Sequence, residues 1–167
     1  IDSALDAGDD VRIMLHYSNG ASVSGTQWFF DHVAAQGVEY DMIGLSWYVF
    51  WHGPLSALRA NLHATAERYG KPIMVVETTY PWRDDWTPGS GAQVGWNAWE
   101  QTREGQAEFL RDLIDTVAEV PDDLGAGVLW WYPEAIQVPG RFVWGGGALA
   151  LFTSAGRLLP AGEVFGE

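Results

Sequence analysis

Residues 71–82 read KPIMVVETTYPW. Pro72 to Val76 is a short, almost wholly apolar run, the pattern of a strand buried on both faces of a parallel sheet. The run stops at Glu77, and Thr78, Thr79, Tyr80, Pro81 and Trp82 open a loop that continues to about Thr102. A connection that long in a compact domain is expected to carry function. A carboxylate at the carboxyl end of a buried strand, followed by a Trp-rich loop, is how α/β barrels build sugar-cleaving sites. Taken alone, such a Glu could equally cap the next element or pair with an Arg.

The flanking chain repeats this design. Val11 to His16 is a second apolar run, ending in the polar residues His16, Tyr17, Ser18 and Asn19 before Gly20. Asp41 to Trp47 is a third, delivering Ser46, Tyr48, Trp51 and His52 at its end. Gly44 interrupts its bulk and marks tight packing. Gly125 to Trp131 is a fourth, followed by Tyr132, Pro133 and Glu134. Between the runs, helical periodicity predicts helices over Gln27 to Gln36, capped by Ser24 or Thr26, over Pro54 to Tyr69, stopped by Gly70, and over Glu104 to Val120. A last apolar segment through Val164 and Phe165 is expected to close against the fourth strand.

Strand and helix alternate as βαβαβαβ, which means a parallel sheet with right-handed crossovers. Four βα units are half of a (β/α)8 barrel, a fold of ~250 residues when whole. A flavodoxin-like open sheet would also fit the length. The half-barrel is preferred because every strand presents polar and aromatic side chains at its carboxyl end.

The 167 residues make one domain and hold nine basic and 22 acidic side chains, 9 − 22 = −13. Without a Lys/Arg cluster, nucleic acid and anionic membrane surfaces are not expected partners. There is no Cys, so thiolate metal sites and Cys nucleophiles are excluded. Of ten Trp, only Trp28 falls inside a predicted helix; the rest lie at strand ends or just beyond them. Flat apolar faces with one polar handle are what pyranose rings stack on.

Several blocks resemble a known family: LHYSNG (15–20), WFFDHVAAQGVEYDMIGLSWYVFWHG (28–53), RYGKPIMVVETTYPW (68–82), REGQAEFL (103–110) and GVLWWYPEAI (127–136). They resemble the arabinogalactan endo-β-1,4-galactanases of glycoside hydrolase family 53, retaining (β/α)8-barrel enzymes with catalytic Glu residues on strands 4 and 7. The likeness runs from about Val11 to Phe165. It implies that residues 1–167 are the C-terminal half of the catalytic domain, strands 5 to 8, and that Glu77 is the nucleophile. It further implies galactan or arabinogalactan as substrate, and secretion. Tyr48 resembles the aromatic hydroxyl that hydrogen-bonds the nucleophile. Trp82 and Trp131 resemble stacking platforms, with Trp51 beside them. His16 and Asn19 resemble the polar end of strand 5, where the family often has His-x-Asp-Asn-Gly and this chain has Ser18 in place of Asp.

The family's acid/base follows an Asn, and here the three Asn (19, 61 and 97) precede Gly, Leu and Ala. No Asn-Glu pair exists, so the acid/base and strands 1 to 4 are missing from this chain, which opens on Ile1 rather than Met. Glu134 is expected at the rim against sugar hydroxyls rather than as the acid. Some family members bind calcium in the strand 7 loop, but Asp84 and Asp85 offer too few oxygens for that ion, and the four His lack ligand spacing. No metal or cofactor is expected. The alternatives are another β-glycanase of the same clan, a non-catalytic sugar-binding half-barrel, or a half-barrel that dimerises. A β-sandwich binding module is disfavoured by the strong helices.

Overall fold

The computed structural model describes residues 11–167. Four strands, β1 (Met14–Tyr17), β2 (Met42–Ser46), β3 (Ile73–Thr78) and β4 (Gly125–Trp130), pair in parallel in the order β1-β2-β3-β4. The order decides between the two architectures. A doubly wound sheet must reverse its winding to put helices on both faces. Here the winding never reverses, so the right-handed crossovers bring α1 (Val23–Ala35), α3 (Leu55–Tyr69) and α4 (Arg103–Ala118) to one face. The fold is half of a (β/α)8 barrel, with helices outside and the opposite sheet face toward the barrel axis. Two short helices, α2 (Val49–His52) and α5 (Pro160–Val164), complete the set.

The core lies between the sheet and its helices. Ile43, Leu45, Ile73 and Val75 point into it from β2 and β3, and Phe30, Leu58, Leu62, Phe109, Leu110 and Leu113 meet them, all fully buried. On the axial face Gly44 is closely packed: a Cβ there would come 2.8 Å from Met14 Sδ and 3.2 Å from both methyls of Val76. This is the tight packing its sequence implied.

Several boundaries differ from expectation, each for a local reason. β1 begins at Met14, because Asp41 occupies the position before it: the Ile13 N–H donates to Asp41 Oδ2, and the Ile13 carbonyl accepts from the N–H groups of Asp41 and Met42. α1 starts at Val23 with Ser22 as cap, its Oγ accepting from Gly25 N, instead of at Gln27 after Ser24 or Thr26. Gly25 hid that start by breaking the helical pattern. It is Gly because the Tyr17 hydroxyl takes the space of a Cβ. Thr26 is buried within the helix and accepts from Asn61 Nδ2. The last apolar segment forms α5, which packs on α4 rather than on β4. Trp51 lies in α2 and Trp144 in a 3-10 turn (144–147), so Trp28 is not alone in helical structure. Residues 1–10 of the expected domain lie outside the described residues.

Candidate active site

The carboxyl ends of β2 and β3 bring Ser46 and Glu77 level, as register partners across an irregularity in the ladder. Such an irregularity re-aims the side chains beside it. Glu77 is the next-to-last residue of β3 and half-buried. On β1, His16 meets Ser46 through Nε2 and Oγ at 2.7 Å. Tyr48, two residues beyond β2 and 5% exposed, donates its phenol O–H to Glu77 Oε2 at 3.2 Å. Burial pushes this phenol far above its usual range, and the Glu77 carboxylate pushes the same way. Both effects favour the neutral phenol as donor. Burial also holds His52 below its usual 6.5, against the opposing pulls of the Ser46 carbonyl and Glu77.

Aromatic rings surround this pair. Trp51 and Trp144 stand edge-on to Tyr48, at 5.2 and 5.9 Å between centroids, and stack on each other at 6.0 Å with planes 28° apart. Tyr132, just past β4, stacks on the other side of the group at 6.4 Å from Trp144. Trp51 and Trp131 keep 40% and 45% of their surface exposed. These are open faces of the kind sugars take.

The turn that carries Trp144 and the run after it offer five consecutive carbonyls, four held by the β3 loop and the fifth by α4. Arg83 Nη2 donates to Gly146 O, Trp82 Nε1 to Gly147 O, and Trp82 N to Ala148 O. Thr79 Oγ1 and Trp130 Nε1 share Leu149 O, and Gln106 Nε2 reaches Ala150 O. The apolar run 148–151 is accordingly buried. The Trp82 ring also takes the guanidinium groups of Arg83 and Arg103, at 5.2 and 5.6 Å from its centroid.

The structure thus brings Glu77, Tyr48 and Trp51 together, with His16 next to them through Ser46. Asn19 turns its Oδ1 to Ala21 N, and Glu134 is exposed just past β4. Trp47 is fully buried, stacked on Phe109 at 5.7 Å and 7°, and serves the core. Sequence reading passed over His52, Tyr132 and Trp144 as site residues. Their signal was placement: each follows a strand end, yet Trp144 comes too long after β4 to be assigned there.

A family model, glycosyl hydrolase family 53, matches residues 2–165. The chain belongs to this family. A protein of the bgaB 5′ region of Niallia circulans, itself uncharacterized, is 43% identical over 140 residues, covering 81% of this chain and 38% of its own. The endo-β-1,4-galactanase of Bacillus subtilis (strain 168) is 30% identical, covering 80% of this chain and 32% of its own. Among solved structures, the family 53 catalytic domain of Ignisphaera aggregans superposes with a TM-score of 0.86 at 28% identity, over 98% of this chain and 48% of that one. The chain spans between about a third and a half of the length of the curated relatives it matches, and about half of the solved domain. Its half-barrel agrees with this membership. Among the described residues, no group of three or more His, Cys, Asp or Glu could hold a metal ion, and no helix is long and apolar enough to cross a membrane.

Proposed function

We propose that this chain is the C-terminal half of a retaining endo-β-1,4-galactanase, with Glu77 as its nucleophile. The observation that carries the reading is the Tyr48–Glu77 hydrogen bond at the carboxyl end of a parallel strand, inside a ring of partly open aromatics. Active sites of barrels lie at that end. One oxygen of Glu77 accepts from the Tyr48 phenol, which holds the carboxylate in place.

In the proposed reaction Glu77 attacks the anomeric carbon as the bond to the leaving oxygen breaks, and that oxygen takes a proton from an acid ~5–5.5 Å away. Water then cleaves the galactosyl ester after losing a proton to the same residue, so configuration is retained. The acid/base belongs to an upstream half of the barrel, and residues 1–167 by themselves are inactive. His16, Asn19, Trp51, Trp82, Trp131 and Glu134 contact the galactan. A polymer of that size cannot enter a cell, which fits secretion.

The test is Glu77→Gln in the full-length enzyme. It should lower kcat on galactan by more than about a thousandfold while oligosaccharide affinity stays within a few-fold, as for loss of a nucleophile. Turnover close to wild type would remove Glu77 from the chemistry.

A further inference from the structure

His52 stands behind the Tyr48–Glu77 pair and has no part in the chemistry above. It closes helix α2, and Tyr48 is the residue that precedes that helix, on extended backbone. Two hydrogen bonds join the residues in opposite directions. The His52 N–H donates to the Tyr48 carbonyl at 2.8 Å, and the Tyr48 N–H donates to His52 Nδ1 at 3.2 Å. The Tyr48 carbonyl also accepts from the Trp51 N–H at 2.9 Å, so the His52 ring is what the Tyr48 N–H depends on, while the phenol at the far end of the same side chain reaches Glu77.

We propose that His52 is a positioning residue for Glu77, acting through Tyr48: its neutral ring, accepting at Nδ1, fixes the backbone from which the phenol reaches the carboxylate. This role rests on the reading of Glu77 as nucleophile. At 3.2 Å the phenol bond is already longer than the usual O–H···O range, so a small outward rotation at the Tyr48 Cα, magnified along the ring, breaks it. Only an imidazole with its proton on Nε2 can accept at Nδ1. The Ser46 carbonyl also lies close to the ring, and burial favours the neutral form. The groups facing the ring are Tyr48, the Ser46 carbonyl from β2 and the Glu77 carboxylate from β3. No cation stands among them to take over the contact.

The experiment compares His52→Leu, His52→Asn and His52→Gln in the full-length enzyme, each also in a Tyr48→Phe background. Asn places its Oδ1 where Nδ1 was and keeps the acceptor; Leu has none, and Gln places its amide where Nε2 was. The Leu and Gln variants should lose about tenfold or more in kcat with KM within about twofold, and Asn should recover most of that loss. In the Tyr48→Phe background the His52 substitutions should cost nothing further, because the group they position is gone. Equal losses for Asn, Gln and Leu, or undiminished losses in Tyr48→Phe, would overturn the role. If Leu does not fold, the contrast of Asn with Gln decides. A readout independent of turnover is the nitrogen spectrum of the His52 ring: the Nε2–H tautomer is expected, and an Nδ1–H tautomer overturns the proposal even if galactan proves the wrong substrate. Absence of galactan cleavage by the wild-type enzyme, with the Nε2–H tautomer present, would count against the function and leave the positioning contact supported.

Discussion

At the scale of single residues, two tryptophans near the site differ in how they are held. Trp51 is 40% exposed and packs against Tyr48, whereas Trp82 has its indole N–H bound to Gly147 and its ring shared by two guanidinium groups. Trp51→Ala should weaken oligosaccharide binding by about 1–3 kcal/mol with little change in Tm, the size of a lost stacking contact. Trp82→Ala should lower Tm as well as affinity, because the loop mooring goes with the ring. Calorimetric titration and thermal melts of the full-length protein separate the two. His52 adds a pH dependence. Its folded pKa lies below the unfolded 6.5, so the stability tied to its neutral ring is whole above pH 6.5. That stability is lost as pH falls through the folded value. His52→Asn should flatten this limb of the Tm–pH curve; an unchanged limb would assign it to other groups. Glu77 and Tyr48 were legible in sequence because they end or follow strands in specific blocks. His52 was not, since its role depends on a four-residue helix that no periodicity announces.

At the scale of elements, the strands and the two long helices α3 and α4 were plain from their apolar spacing and their stops. The pattern failed where side chains override it. Asp41 takes over the first rungs of β1, Gly25 masks the start of α1, and α5 finds α4 instead of the sheet. The axial face shows how narrowly one residue is specified. Gly44→Val would drive a side chain into Met14 and Val76, and overpacking of this kind costs about 1–3 kcal/mol. Denaturant unfolding of the full-length protein should show a lower midpoint with an unchanged m-value; an unchanged midpoint would mean that the layer is loose.

At the scale of the whole molecule, strand order turns four βα units into part of a barrel. A sheet wound one way has its helices on one face, and the other face must curl toward an axis and meet more strands. Here the outer edges of β1 and β4 are unpaired among the described residues, and Leu129 on β4 is 52% exposed. The four-strand pattern was readable from alternation alone, while the choice of barrel over open sheet needed either the resemblance or the observed order. The moored turn at 144–147 was not readable, because the groups it offers to Trp82 and Arg83 are backbone carbonyls that carry no sequence signature. The central claim is that Glu77 forms the covalent bond to the sugar, and trapping that bond tests it most directly. The full-length enzyme would be treated with a 2-deoxy-2-fluoro-galactoside bearing a good leaving group, digested, and mapped by mass spectrometry. A fluorogalactosyl ester on Glu77 is the predicted result. Label on another carboxylate, or inactivation without any adduct, would contradict the account.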